Sequence, residues 1–142
     1  MTTVFLDTNV LVSHFMPRGA LSAACTAVMM KVEAGEIRAA TSASNMLTTM
    51  YLMETGGMGQ REMTGNLKEL LKMVRLVDVS EEHFMQSFSS NFKDKEDGVL
   101  YFAAIGDGRI DRFVTHNIKD YKTGRRLSVV TPEQLLKEPE IA

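Results

Sequence analysis

The feature that most constrains this chain is the recurrence of short apolar segments that stop abruptly at polar residues and alternate with helical stretches. Thr2–Leu6 is the clearest case: a β-branched, apolar run that ends at Asp7-Thr8-Asn9. Such a run suits a strand buried on both faces better than a half-exposed strand, which would alternate apolar with polar residues. Ile37–Thr41, Val74–Val79, Arg112–Thr115 and Leu127–Val130 read as four further strands. Between them the spacing predicts helices. The first runs from Val10 to Phe15 with Thr8 as its cap and breaks at Pro17 and Gly19. The next spans Ser22–Ala34 and ends at Gly35. A third is capped by Ser42 or Ser44 and reaches Glu54 before Gly56-Gly57. A fourth covers Gln60–Met73, a fifth opens at Ser80-Glu81-Glu82 and runs to Asn91, and a sixth begins at Asp94 and closes at Gly106 and Gly108. Pro132 then starts a short last helix at its first turn, with Thr131 as cap. Strands alternating with helices imply an α/β fold with a mainly parallel sheet.

Composition narrows the function classes. The 142 residues, 44% hydrophobic and 24% charged, suit one domain over 1–142, and no linker, repeat or low-complexity tract divides them. Sixteen Lys and Arg against eighteen Asp and Glu give a net charge of −2. Phosphate neutralisation requires a cationic surface, so this balance argues against indiscriminate binding to nucleic acid. Cys25 is the single cysteine, which excludes an intramolecular disulfide framework and a cysteine zinc cage. No apolar run approaches a membrane span, and the start of the chain lacks the pattern of a signal peptide, so the expected setting is cytoplasmic.

In a parallel sheet the ligand crevice lies beyond the carboxyl ends of the strands. Two predicted strands end in groups suited to it: Leu6-Asp7-Thr8-Asn9, and Val114-Thr115-His116-Asn117 followed by Asp120. Asp94 and Asp97, one helical turn apart, share a helix face. Carboxylates are hard ligands that suit Mg²⁺ or Mn²⁺ better than zinc.

These segments, in this order and spread over nearly the whole chain, resemble the PIN-domain ribonucleases, the family that includes VapC-type toxins. The resemblance rests on Phe5-Leu6-Asp7-Thr8-Asn9-Val10-Leu11, on Asp94-Lys95-Glu96-Asp97 leading to Ala103-Ala104, on Val114 to Tyr121, and on Val130-Thr131-Pro132-Glu133. It implies a three-layer α/β/α domain and a Mg²⁺- or Mn²⁺-dependent endoribonuclease. It further implies a homodimer, and a toxin held inactive by a separate antitoxin. Carried over by position, Asp7, Asp97, Asp120 and Asn117 are the implied metal ligands, and Asp94 stands outside that shell or helps activate water. Asn9 orients the first aspartate, and Asn9, Thr115 and Asn117 lie toward substrate. One departure stands out: Thr48 occupies the region where many family members place a Glu.

Other readings of the same residues stay open. Asp94 serves equally well as a helix cap, Asp120 as a solvated loop acid, and Asn117 as a turn residue. The three histidines form no ligand pair at helical spacing, Cys25 reads as a small buried residue, and Met46, Met50 and Met53 form one core-facing stripe. The segment from Arg109 to Arg126 holds six basic residues against Asp111 and Asp120, a local excess of 6 − 2 = +4 beside the expected crevice. Arg125 and Arg126 are its candidates for phosphate contact. Two rival functions remain: a PIN-like binding module without efficient chemistry, motivated by Thr48, and an aspartyl-phosphate phosphatase. The second is the weaker, because that chemistry wants another acid two residues after Asp7 and the chain has Asn9.

Overall fold

The computed structural model describes every residue except Arg18. Its elements run β1 (Thr3–Leu6), α1 (Thr8–Phe15), α2 (Ala20–Glu33), β2 (Arg38–Ser42), α3 (Ala43–Thr55), α4 (Gln60–Met73), β3 (Val74–Val77) and α5 (Glu81–Phe88). Then follow α6 (Lys95–Asp107), β4 (Arg112–Val114), a 3₁₀ turn over Ile118–Tyr121, β5 (Ser128–Val130) and α7 (Pro132–Leu136). The strands form one sheet in the order β3-β2-β1-β4-β5, and every neighbouring pair is parallel.

Alternation along the strands sends side chains to two cores. Val4, Leu6, Ala39, Val74 and Val114 face α1, α2, α3, α4 and α7, with Cys25, Met29, Met53 and Leu70 among the buried partners. Phe5, Ala40, Val77 and Phe113 face α6 and the 3₁₀ turn, meeting Leu100, Tyr101, Ala104 and Tyr121. Both faces are covered, which is why the strands read as continuous apolar runs. The methionine stripe is core: Met46 and Met53 are buried and Met50 packs against them.

β1 lies at the centre, with β2 on one side and β4 on the other. The chain therefore leaves β1 in one direction and returns on its other flank, and the crevice opens where the carboxyl ends of β1 and β4 diverge. The backbone N–H of Asp7 still donates to the Val114 carbonyl at 3.0 Å, so the two strand ends are tied just below that opening.

Several boundaries differ from expectation for local reasons. The first helix begins at Thr8 because Asp7, not Thr8, is its cap: the Asp7 carboxylate accepts from the Thr8 N–H at 2.8 Å. The Thr8 hydroxyl points elsewhere, donating to Asn45 Oδ1 at 2.8 Å. The sixth helix runs through Gly106 and ends at Gly108, whose φ of 79° closes it in the left-handed conformation. Gly106 stays helical because it lets α5 pack closely. A Cβ there would meet His83 Nε2 at 2.7 Å, and a Cβ on Gly98, two turns earlier on the same face, would collide with Ser87. The third strand stops at Val77 and the fifth helix at Phe88, each shorter than the pattern suggested.

Candidate active site

The crevice is a groove of about 790 Å³ floored by the ends of β1 and the starts of α1, α3 and α6. Asp7, Asn9, Asn45, Thr48, Asp97 and Asn117 line it, with Leu52, Phe84, Phe88 and Leu100 as apolar walls. A second cleft, of about 980 Å³, lies at the opposite end of the sheet around Thr3, Arg38 and Val74, and holds none of these carboxylates.

Asp7 is the deepest of the acids, with only 7% of its surface exposed. A carboxylate at such a depth needs donors. Oδ1 accepts from the Thr8 N–H, while Oδ2 accepts from the Thr115 hydroxyl at 2.8 Å and from the Tyr121 hydroxyl at 3.3 Å. Burial pushes the Asp7 carboxyl above its ordinary range, and these hydrogen bonds oppose the shift. Thr115 is fully buried, and its oxygen in turn accepts from Asn9 Nδ2 at 3.1 Å and from the Asn117 N–H at 3.2 Å. Asn9 Oδ1 takes the His116 N–H. Thr115 was expected toward substrate, but with its hydroxyl proton given to Asp7 it lies inside the support of the site. Asn9 reaches Asp7 only by way of Thr115.

Asp97 comes from the first turn of α6, half-buried, its backbone N–H held by the Asp94 cap at 3.1 Å. Its carboxyl is pushed up to about 7, first by burial and then by the charges of Asp94, Asp7 and Asp120, with a hydrogen bond from Tyr121 opposing. The fold therefore brings the other three predicted aspartates within electrostatic reach of Asp97. They are not equivalent. Asp7 and Asp97 line the groove, whereas Asp94 and Asp120 are exposed and act on Asp97 as nearby charges. Among the described residues none of the four makes an ion pair with Lys, Arg or His.

A buried and a half-buried acid without an ion-pair partner among the described residues fit a hard divalent ion, and the donors are all oxygen. Among the described residues no three His, Cys, Asp or Glu side chains already converge as a metal cage. Mg²⁺ does not need one, since it commonly keeps several waters and binds through one or two carboxylates.

Sequence reasoning missed two residues here. Tyr121, only 2% exposed, touches both inner carboxylates. Those carboxylates and its own burial push its hydroxyl far above the ordinary tyrosine range. Asn45, buried at the start of α3, links Thr8, the Leu6 carbonyl and Thr41. Asn45 sits in the helix-start region scanned for the usual Glu, yet nothing local marks its partners. Thr48 itself is exposed on the groove wall and donates to the Ser44 carbonyl at 3.1 Å.

The remaining groups separate cleanly. His116 packs between α1 and α2, its Nε2 3.2 Å from both Ser13 Oγ and Cys25 Sγ. Burial pushes the Cys25 thiol up to about 11, which fits the inert role expected of it. The basic run divides. Arg109 and Arg112 sit toward the far end of the sheet, paired with Asp107 and with Glu138 and Glu140. Lys119, Lys122, Arg125 and Arg126 stay exposed between the Ile118–Tyr121 turn and β5, without ion pairs among the described residues. None of the four lines the groove itself. No described helix is long and apolar enough to cross a membrane.

Comparison with known proteins agrees with this architecture. The sequence model described as "PIN domain" matches residues 3–119. No curated protein matches the chain in sequence. Among solved structures, a toxin-antitoxin complex from Klebsiella pneumoniae superposes with a TM-score of 0.65 at 22% identity, covering 91% of this chain and 97% of that one. VapBC2 from Rickettsia felis, bound to a DNA fragment from the promoter, gives 0.65 at 15% identity over 92% and 98%. VapC20 of Mycobacterium tuberculosis, a toxin that cleaves the sarcin-ricin loop, gives 0.58 at 15% identity over 78% and 86%.

Proposed function

The chain belongs to the PIN-domain family, and on that premise we propose that it is a divalent-metal-dependent endoribonuclease, the toxin of a toxin–antitoxin pair. The observation that carries the reading is the Asp7–Asp97 pair. Two acids are set in one groove at the carboxyl end of the central strand, close enough that the Asp7 charge raises the Asp97 carboxyl, and neither makes an ion pair among the described residues.

In this reading Asp7 and Asp97 hold Mg²⁺ or Mn²⁺, with Asn117 on the groove lining and Asp120 and Asp94 as outer carboxylates. A divalent ion held by these residues would supply charge neutralisation at a phosphate and a more acidic water. The protein's own part is orientation and charge. Thr8, Thr115 and Tyr121 hold Asp7 in one rotamer, Asn9 and Asn117 hold Thr115, and the Asp94 cap holds the helix turn that carries Asp97. Burial, and after it the charges of Asp94, Asp7 and Asp120, raise the Asp97 carboxyl. Arg125 and Arg126, with Lys119 and Lys122, supply the positive rim for the RNA backbone.

The partners follow from the same reading. The exposed Phe84, Phe88 and Leu52 leave an apolar wall beside the acids, which supports a separate antitoxin as the protein that covers the groove. The homodimer belongs to the same proposal, and light scattering on the purified protein tests it.

The functional test is cleavage of an RNA pool in Mn²⁺ by the purified protein and by Asp7→Asn. Cleavage by the wild type alone is expected. No cleavage by either, together with an Asp7→Asn variant whose effect on cell growth matches the wild type, removes the nuclease reading. A second reading has its own observation: Thr48, exposed on the groove wall, stands in the Glu region, which favours a binding module with weak chemistry. Calorimetry that finds no divalent-ion binding selects it.

A further inference from the structure

Tyr121 occupies a position that the metal reading does not by itself explain. Its ring is packed on three sides in the aromatic core, 4.6 Å from Phe113, 5.9 Å from Phe92 and 6.4 Å from Tyr101, centroid to centroid. That packing removes the freedom of the ring and aims the hydroxyl between the two inner carboxylates. The hydroxyl donates to Asp7 Oδ2 at 3.3 Å and also hydrogen-bonds the Asp97 carboxylate.

A carboxylate offers about four acceptor sites. On Asp7, Thr115 and Tyr121 occupy the two of Oδ2, and the Thr8 N–H takes one on Oδ1. A single site on Oδ1 remains uncommitted. Asp7 is therefore built to give a cation one oxygen, not two. Asp97, from a different element, meets the same hydroxyl, so a rigid ring sets both the rotation of Asp7 and its separation from Asp97.

We propose that the Tyr121 hydroxyl is a positioning group that fixes the spacing and rotation of the Asp7 and Asp97 carboxylates, and that this spacing selects a small, strictly octahedral cation over a larger one. The inference rests on the metal reading above. Its physical basis is the difference in tolerance between cations: Mg²⁺ demands near-ideal octahedral geometry, whereas Ca²⁺ accepts flexible and often bidentate carboxylates. Freeing the Oδ2 site and releasing Asp97 harms the first far more than the second.

The test is calorimetric titration of the full chain with Mg²⁺ and with Ca²⁺, comparing wild type with Tyr121→Phe. The substitution keeps the packed ring and removes only the hydroxyl. Loss of a group that orients metal ligands typically costs ten-fold or more in affinity, so Mg²⁺ binding is expected to weaken about ten-fold. Ca²⁺ affinity should change less than about two-fold, because its looser coordination tolerates the altered pair. The Mg²⁺/Ca²⁺ preference then collapses, which a residue acting only on stability would not produce.

Equal weakening for both ions, or no change for either, overturns the proposal. A wild type that binds neither ion overturns the metal reading itself, and that result is distinct from a wild type that binds while the variant matches it. A second measurement needs no variant. With ring-labelled tyrosine, Mg²⁺ should shift the Tyr121 signal in the wild type and leave that of Tyr51, exposed on α3, in place. A Tyr121 signal unmoved at saturating Mg²⁺ overturns the proposal as well.

Discussion

Asp97 carries a cost that should be measurable without any substrate. In the fold its carboxyl is pushed from 3.8 to about 7 by burial and by Asp94, Asp7 and Asp120. That difference corresponds to about 4 kcal/mol if nothing screened it. Asp97 is only half-buried, and solvent screening reduces the penalty to about 1–2 kcal/mol. Well below pH 3.8 the carboxyl is protonated in both the folded and unfolded chain, and the penalty is absent. As the pH rises, the unfolded chain ionises Asp97 first, so the folded state loses stability until the folded group also ionises near pH 7.

Asp97→Asn removes the charge and keeps an oxygen that accepts from Tyr121. In chelator-treated protein its melting temperature should match the wild type well below pH 3.8 and exceed it by roughly 3–8 °C at pH 8. Adding millimolar Mg²⁺ at pH 8 should raise the wild-type melt and leave the variant nearly unchanged, because the variant lacks half of the inner pair. Calorimetric or fluorescence melts across this pH range decide the matter. A variant less stable than wild type at pH 8, or one with the same advantage at low pH and at pH 8, would refute the electrostatic account of the site.

Two further outcomes follow from other parts of the molecule. Charge reversal at Arg125 and Arg126 should weaken RNA binding and flatten its dependence on salt, as read by filter binding or anisotropy over a salt series; an unchanged slope removes these residues from the interface. Gly98→Ala should cost about 1–3 kcal/mol in urea unfolding, because its Cβ would collide with Ser87 and come within 3.2 Å of Phe92. Gly65→Ala, in a helix with nothing within 4 Å, should gain about 0.5–1 kcal/mol, and a Gly98→Ala that behaves the same way would contradict the close packing of α5 on α6.

Much of the fold was legible because its signals are local. β1, β2 and β4 are short, largely buried runs, and Ser42, Thr131 and Gly108 mark helix ends through hydrogen bonds or backbone angles within a few residues. Asp7, Asp94 and Asp97 were legible for the same reason, as acids at a strand end and a helix start. Where a local signal had two readings, the tertiary structure chose between them. Asp7 rather than Thr8 caps α1, because Asn45, 37 residues away, takes the Thr8 hydroxyl. Gly106 stays inside its helix because His83 of another helix lies against it. The basic run looked like one patch in sequence, yet Arg109 and Arg112 are tied up in ion pairs with Asp107, Glu138 and Glu140, whereas Arg125 and Arg126 stay exposed without ion pairs among the described residues.

The sequence by itself determined that this is a parallel α/β domain whose acids gather where strands end, since periodicity and capping are properties of neighbouring residues. Only the tertiary structure decided how those acids behave. The hydroxyls of Thr115 and Tyr121 reach Asp7 across 108 and 114 residues. The raised carboxyl of Asp97 depends on burial and on charges from three other segments or turns. Hydrogen bonds, burial and Coulomb interactions act through space, so chain position leaves them undetermined until the sheet brings the ends of β1 and β4 together.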